Sequence, residues 1–151
     1  MHEWPINASM VFRNANRFIE AYHTVLQPVC KRTGLPPLAV DILLFFANNT
    51  DKETAKDVCL CLGCKPGIVS IYVDRLVNEG LLERREIRAD RRKTRLICTR
   101  KAQDVIEMGR EQQRRFAQRL LAGLSEDDVN VFRGYIAKMD GNISGIIENG
   151  V

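Results

Sequence analysis

The segment from residue 54 to residue 99 changes from helical to β-strand periodicity, and this change restricts the fold more than any other feature of the chain. Thr54 and Asp57 have the spacing of a capping box ahead of a short apolar stretch that stops at Gly63. Pro66 suits the first turn of a second helix, because the N–H that it lacks would be unpaired there in any case. Two short helices joined by a tight, glycine-containing turn are typical of a helix-turn-helix.

The residues after Gly80 predict a β-hairpin. Residues 81–86 and 94–99 are short, β-compatible segments that flank a polar loop formed by residues 87–93. A helix-turn-helix followed by a basic hairpin is a winged helix. Residues 35–99 are therefore predicted to form a winged helix-turn-helix DNA-binding region.

Long helices are predicted on both sides of this region. The first spans about residues 8–31, and a second helix begins at Pro36-Pro37. After the hairpin, Thr99 is expected to cap a helix that reaches about Leu121. Ser125 is expected to cap the last helix, since acidic residues follow it at once.

The last helix carries six apolar residues at alternating spacings of three and four. They are Val129, Phe132, Ile136, Met139, Ile143 and Ile146. So regular a stripe requires a partner helix, which an intramolecular contact or a second chain could supply. Dimerisation is the favoured interpretation, with residues 1–34 and 100–151 as a helical dimerisation region. The predicted fold class is mainly α with a small β-hairpin wing.

Charge is unevenly distributed along the chain, whose net charge is +4. Residues 65–101 contain 11 basic and five acidic residues, whereas the remainder contains 12 basic and 14 acidic residues. One part of the molecule is therefore positive and the rest slightly negative. This asymmetry favours a phosphate-rich partner on one face.

Composition excludes several other classes of protein. With 45% hydrophobic and 28% charged residues, the chain is typical of a globular protein and not of a disordered or fibrous one. No apolar run approaches the roughly 20 residues of a membrane-spanning helix. The first five residues, with an acid and a proline, do not form a signal pattern, so a cytoplasmic location is expected. Five cysteines cannot form a complete set of intramolecular disulfides, and reduced thiols are the simpler interpretation.

Eight residues are candidates for contact with double-stranded DNA. They are Lys65, Gly67, Ser70, Ile71 and Arg75 on the helix that starts at Pro66, and Arg91, Arg92 and Lys93 at the wing tip. The helix suits the major groove, where a lysine or serine can bond a base or a phosphate and Ile71 can contact a thymine methyl group. The basic wing tip suits a narrow minor groove, which concentrates negative potential.

These residues together resemble the MarR family of winged-helix transcription regulators. The resemblance extends from about Phe18 to the end of the chain. It is carried by Gly34-Leu35-Pro36-Pro37, Thr54 through Leu62-Gly63, Val69-Ser70, Asp74-Arg75-Leu76, Gly80-Leu81, Leu82-Glu83-Arg84 and Asp90-Arg91-Arg92. The resemblance implies a homodimer with intertwined helical termini, two winged lobes on a pseudo-palindromic operator, and repression relieved by a ligand or an oxidant.

The chain departs from the family at two DNA-facing positions, and the family suggests a role for a third residue, Asp90. Relatives commonly carry a basic residue where Ile71 stands and a small capping residue where Lys65 stands. Both departures concern base reading more than DNA binding itself. By the resemblance, Asp90 pairs with Arg92 and stabilises the wing, and such a pairing would orient the guanidinium.

Three cysteines in the pattern C-x-C-x2-C, from Cys59 to Cys64, could hold zinc or sense an oxidant. Helical geometry turns Cys59 and Cys64 inward, where they pack as small apolar residues, and leaves Cys61 exposed. The two histidines lie in the N-terminal segment and provide no nearby fourth ligand. Packing is therefore the favoured interpretation, and neither a metal nor another cofactor is predicted. Cys30 and Cys61 are the candidate thiol sensors.

The resemblance also implies a site for a small aromatic ligand between the dimerisation and winged lobes. Aromatic residues are available for it, with Arg13 or Arg17 as carboxylate partners, although a plain core would use the aromatic residues as well. The aromatic candidates are Trp4, Phe12, Phe18, Tyr22, Phe45, Phe46 and Phe116.

The predicted function is a homodimeric, sequence-specific DNA-binding transcription regulator, a repressor whose affinity responds to a small ligand or an oxidant. One alternative is a winged-helix module that binds a protein without specific DNA readout, suggested by Ile71 and an exposed Leu60. Another is a cysteine-based redox sensor regulator. An enzyme is not predicted, because the sequence has no Gly-rich phosphate loop, no His-rich metal set and no nucleophile beside a base.

Overall fold

A computed structural model describes residues 7–150, with all of their side chains except those of Arg91 and Arg92. In this part of the chain, six α-helices accompany one two-stranded antiparallel sheet. The elements are α1 Ala8–Thr33, α2 Pro37–Asn48, α3 Ala55–Leu62, α4 Pro66–Asn78, β1 Leu82–Ile87, β2 Asp90–Cys98, a 3₁₀ turn Arg100–Ala102, α5 Gln103–Leu120 and α6 Glu126–Asn149. The predicted fold class, mainly α with a small β-hairpin wing, is confirmed.

The ends of the helices follow from the capping residues. At the start of α3, the Asp57 N–H donates to Thr54 Oγ1 at 3.3 Å, while the Thr54 N–H donates to Asp57 Oδ2 at 3.0 Å. The same reciprocal capping box joins Ser125 and Asp128 at the start of α6. Gly63 ends α3 with φ at 63°, a left-handed conformation that glycine adopts without steric cost. These predicted caps are confirmed.

The wing differs from the predicted hairpin in length. Ile87 pairs with Asp90, so the connection is a tight turn at residues 88–89 and not a loop over residues 87–93. The wing is solvated, and β1 exposes four consecutive charged residues. Its strands therefore lack the apolar alternation by which sequence patterns locate a strand.

The start of α5 also differs from the prediction. Thr99 stands before the 3₁₀ turn but makes no side-chain capping bond. Its hydroxyl instead donates to the Gly80 carbonyl oxygen at 2.5 Å, which connects the end of the wing to the end of the helix-turn-helix.

The chain divides into two compact units, residues 1–116 and residues 117–151. The first unit contains a hydrophobic core centred on α2, to which α1, α4, the wing and α5 each contribute. Its fully buried large side chains are Leu26, Val29, Leu35, Val40, Ile42, Leu43, Leu44, Val58, Val69, Leu76 and Leu82. In the second unit, α6 has no buried residue. None of the helices in the described part of the chain is long and apolar enough to cross a membrane.

Candidate nucleic-acid interface

The outer face of α4 consists of Lys65, Gly67, Ser70 and Ile71, and all four residues are exposed. Ile71 has 66% of its surface accessible, which is unusual for an isoleucine in a folded domain. Lys65 occupies the N-cap position, and no side chain caps the helix. The positive end of the α4 dipole is therefore directed outward beside a lysine, an arrangement that attracts phosphate.

The apolar spacing along α4 predicts that Ile68 faces inward with Val69, Val73 and Leu76, and for Ile68 this prediction is wrong, because 43% of its surface is accessible. It lies in the first turn of α4, where the helix leaves the core. The packing of α4 is supplied further along by Val69, Val73 and Leu76, which are all buried. The apolar part of the outer face is therefore larger than Ile71 alone.

Arg75 is half-buried and is engaged within the protein. Its Nη2 donates to the Gly34 carbonyl oxygen at 2.8 Å, and its Nε donates to Glu79 Oε1 at 2.9 Å. The first bond connects α4 to the C-terminal end of α1, and the second holds the guanidinium against the C-cap residue of α4. They favour a role for Arg75 in orienting α4 over direct contact with DNA.

The wing is attached to the helix-turn-helix through both of its strands. Arg84 of β1 forms an ion pair with Asp74 of α4, and Arg95 of β2 forms an ion pair with Glu53, which precedes α3. The Leu96 N–H also donates to the Glu53 carbonyl oxygen at 2.7 Å. Glu53 raises the pKa of the Arg95 guanidinium, since it bonds the charged form. Neither pair was predicted from the sequence, because the partners lie 10 and 42 residues apart.

At the far end of the wing, Lys93 is exposed. Arg88, in the tight turn, is exposed as well and was missed as a candidate, although its position in a basic turn was a usable signal. Asp90 is half-buried and has an interaction partner. The side chains of Arg91 and Arg92 lie outside the described residues, so the expected pairing of Asp90 with Arg92 stays a prediction.

A cavity of about 570 Å³ lies next to the helix-turn-helix, and α1, α2, α3 and α5 line it. Its lining is mainly apolar, with several polar groups and two thiols. The lining residues are Ile19, Tyr22, His23, Leu38, Asp41, Leu44, Phe45, Asn48, Asn49, Cys61, Leu62, Cys64 and Gln113. This volume is in the range of sites that bind small organic molecules.

Among the described residues that were expected to form a ligand site, Tyr22 and Phe45 line this cavity and the others do not. Phe18 and Phe116 pack edge to face at 5.2 Å beside it, and Phe46 lines a different cavity. Phe12, Arg13 and Arg17 are exposed, and neither arginine lines the cavity. Trp4 lies outside the described residues.

The cavity is also lined by a polar pair, His23 and Asp41, that was not predicted from the sequence. His23 Nε2 and Asp41 Oδ2 are 2.6 Å apart, and the Asp41 side chain is only 10% exposed. Burial raises the pKa of Asp41, although the bond from His23 opposes this rise. A usable signal was present, since Asp41 is the one charged residue in the otherwise apolar stretch from residue 38 to residue 47.

A second polar pair closes the same side of the cavity. Gln113 Nε2 of α5 donates to the Tyr22 hydroxyl at 3.0 Å. Burial raises the pKa of Tyr22 to about 12, and the neighbouring Asp41 carboxylate adds to this rise. The phenol is therefore neutral at physiological pH.

The cysteines differ in accessibility. Cys59 and Cys64 pack against the core, as expected, and Cys61 is exposed. Burial raises the pKa of Cys30, with a further contribution from Asp41, and burial raises the pKa of Cys64 and of Cys98 as well. A raised pKa reduces the thiolate fraction that reacts with oxidants. Exposure therefore favours Cys61 over Cys30 as a reactive thiol.

Metal binding has no support in the geometry. Among the residues that the structure describes, no group of three or more histidine, cysteine, aspartate or glutamate side chains is placed to hold a metal ion.

The sequence and the fold of the chain are both similar to those of known proteins. Residues 33–93 match the model of the MarR family. A MarR family transcriptional regulator from Listeria monocytogenes complexed with a 26mer DNA has a similar fold, with a TM-score of 0.78 and 16% identity, over 99% of this chain and 97% of that chain. The S. aureus MepR–DNA complex also has a similar fold, with a TM-score of 0.71 and 17% identity, over 91% of this chain and 96% of that chain.

CouR from Rhodococcus jostii RHA1 bound to p-coumaroyl-CoA gives a TM-score of 0.68 and 19% identity, over 86% of this chain and 88% of that chain. At these identities the structures show a shared fold. No curated protein matches the sequence significantly.

Proposed function

We propose that this chain is a member of the MarR family of DNA-binding transcription regulators, because residues 33–93 match the model of that family, and that it is a cytoplasmic, homodimeric repressor that binds a pseudo-palindromic operator and releases it in response to a small ligand or an oxidant. Members of the family are regulators and not enzymes, in agreement with the prediction. The observation that carries the proposal is the outer face of α4, which is exposed and uncapped beside a basic wing.

Lys65 and the N-terminal end of α4 supply attraction for phosphate, and Ser70 and Ile71 read base edges. An exposed isoleucine is suited to the methyl group of thymine, so Ile71 replaces a charged contact by an apolar one. The wing adds Lys93, together with Arg91 and Arg92, for the minor groove. Two known structures of this fold are in complex with DNA, which supports the assignment of the interface.

Dimerisation is supported by the apolar face of α6. Phe132, Ile136 and Met139 lie on one face of this helix, and each has about half of its surface accessible (51%, 46% and 51%). A row of exposed apolar residues at heptad-like spacing indicates a helical partner. A two-fold dimer would present two α4 helices to successive major grooves, which are about 34 Å apart.

Regulation is supported by the position of the cavity. Cys61, Leu62 and Cys64 of α3 and its following turn line it, and α4 begins immediately afterwards. A molecule in the cavity therefore acts on the helix-turn-helix directly. Cys61 is both exposed and at the cavity, so its oxidation is the second route by which DNA affinity could change.

The test is fluorescence anisotropy with the DNA upstream of the protein's own gene, titrated across salt concentration. Lys65→Ala should weaken binding and reduce the salt slope by about one phosphate contact, and Ser70→Ala should reduce the preference for operator over random DNA. Lys31→Ala, which removes an exposed charge on α1, is the matched control.

Three outcomes are informative. Absence of binding to any fragment at low salt would overturn the proposal and favour the protein-interaction module. Equal effects of Lys65→Ala and Lys31→Ala would place the interface elsewhere. A peroxide-induced loss of DNA binding that disappears in Cys61→Ser but persists in Cys30→Ser would identify the sensing thiol, and the reverse result would assign it to Cys30.

A further inference from the structure

The cavity beside the helix-turn-helix contains one buried acceptor without a donor. The Asp41 carboxylate bonds His23 through Oδ2 at 2.6 Å. Its other oxygen, Oδ1, is buried and has no hydrogen-bond partner within the described part of the chain, although the Tyr22 hydroxyl lies near enough to the carboxylate to lower the pKa of Asp41. An unpaired carboxylate oxygen away from water is costly, and such atoms in folded proteins usually meet a donor.

The charge of the cavity excludes one class of ligand. Neither lysine nor arginine occurs among the described residues that line it, and its one basic residue, His23, is already engaged by Asp41. A carboxylate or phosphate ligand would therefore approach Asp41 without a cation to compensate it. In a mainly apolar cavity such like-charge repulsion is strong.

The rest of the cavity requires an apolar ligand body. Leu38, Leu44, Phe45 and Leu62 provide aliphatic and aromatic surface, and the volume of about 570 Å³ admits one or two rings with substituents. The ligand should therefore combine a hydrophobic body with a hydrogen-bond donor at one end.

We propose that this cavity binds a hydrophobic amine, a protonated organic cation whose ammonium N–H donates to the Asp41 carboxylate while its apolar body packs against Leu38 and Phe45. The inference rests on the proposed function, in which a molecule at this site alters DNA affinity. It differs from the aromatic carboxylate expected with Arg13 or Arg17, since neither arginine lines the cavity. Burial of the ion pair between the ammonium group and Asp41 makes the interaction strong and specific for charge.

The experiment uses three probes with one ring system and different head groups: 2-naphthylmethylamine, 2-naphthylmethanol and 2-naphthoate. Binding to the full-length protein is measured by isothermal titration calorimetry at pH 7.5, where the amine is protonated. The amine should bind at least tenfold more tightly than the alcohol, and the carboxylate should bind most weakly.

Asp41→Asn should reduce the affinity for the amine at least tenfold and leave that for the alcohol unchanged. Asp51→Asn, which neutralises an exposed carboxylate in the loop before α3, is the matched control and should alter neither. Circular dichroism and the Tm of each variant verify folding. If Asp41→Asn does not fold, Leu38→Trp serves instead, because it fills the cavity and should reduce the binding of both amine and alcohol.

The proposal is overturned if the carboxylate binds as tightly as the amine, if Asp41→Asn leaves the affinity for the amine unchanged, or if no probe binds because solvent alone meets Oδ1. DNA binding is measured separately on the same samples. Failure of the wild-type protein to bind the amine, with intact operator binding, contradicts this inference alone. Amine binding without any change in operator affinity contradicts the proposed regulation and leaves the ligand class standing.

Discussion

Gly109 permits the close packing of α5 on α2, and its replacement by alanine tests this packing. A Cβ atom at this position would lie 2.7 Å and 2.8 Å from the two methyl carbons of Leu44 and 3.1 Å from its Cγ. Leu44 is itself buried. Exchanging the two methyl positions does not relieve the contact, so either Leu44 must move into the neighbouring cavity or α5 must move away from α2.

The magnitude follows from two opposing terms. Overpacking of a buried site costs about 1–3 kcal/mol, and we take the middle of this range, about 2 kcal/mol. Replacement of glycine by alanine inside a helix contributes about 1 kcal/mol in the other direction. We expect Gly109→Ala to lower the free energy of unfolding by about 1 kcal/mol, and the Tm by about 2–4 °C, at fixed protein concentration.

The assay is thermal and urea unfolding followed by circular dichroism, with Gly141→Ala as the matched control. Gly141 lies on α6, has open space around it, and is about 180° from Phe132 at 100° per residue. Gly141→Ala should therefore stabilise the protein by about 0.5–1 kcal/mol. The same glycine-to-alanine change should thus lower the free energy of unfolding at position 109 and raise it at position 141.

A double-mutant cycle identifies the contact. In a Leu44→Ala background, Gly109→Ala should no longer destabilise the protein, which gives a coupling of about 1–3 kcal/mol between the two sites. The reasoning is refuted if Gly109→Ala stabilises the wild-type protein as much as Gly141→Ala does, or if the cycle shows no coupling.

Two further predictions concern the helix cap and the dimer. The hydrogen bonds from Thr54 favour the charged form of the Asp57 carboxylate and lower its pKa. The capping box therefore stabilises the folded protein above pH 4, and this stabilisation is lost as the pH falls through the lowered pKa. Asp57→Ala should cost about 1 kcal/mol at pH 7 and progressively less below pH 4 in urea unfolding, and a constant cost across this range would contradict the assignment. Ile136→Glu on the apolar face of α6 should convert a dimer to monomers in sedimentation velocity, whereas Glu148→Gln on the same helix should not. An unchanged dimer in Ile136→Glu would remove α6 from the interface.

The sequence patterns that predicted the fold correctly have strong local causes. The capping boxes at Thr54 and Ser125 and the terminating Gly63 depend on residues within one turn of each other. The boundaries of α3, α4 and α6 were therefore predictable. The exposed outer face of α4 was predictable too, because helical periodicity separates its residues from Val69, Val73 and Leu76.

The features that escaped prediction depend on residues far apart in the sequence. His23 and Asp41 are 18 residues apart, and Arg95 and Glu53 are 42 apart. Each member of these pairs has an ordinary interpretation on its own helix or strand. The role of Arg75 was missed for the same reason, since its partner, the Gly34 carbonyl, lies 41 residues away.

These long-range contacts connect the walls of the cavity to the DNA-facing helix α4. His23 of α1 contributes to the cavity, and the C-terminal end of the same helix is bonded to α4 through Gly34 and Arg75. On the other side of the cavity, Cys64 directly precedes Lys65, the N-cap residue of α4. A ligand that displaces α1 relative to α3 must therefore rotate or shift α4, because α4 is attached to both.

Couplings of this kind are typically about 1–3 kcal/mol, so we expect an occupant of the cavity to change operator affinity by roughly 5-fold to 150-fold. Arg75→Lys retains the charge but loses the two-point contact, and it should reduce this coupling more than it reduces DNA affinity itself.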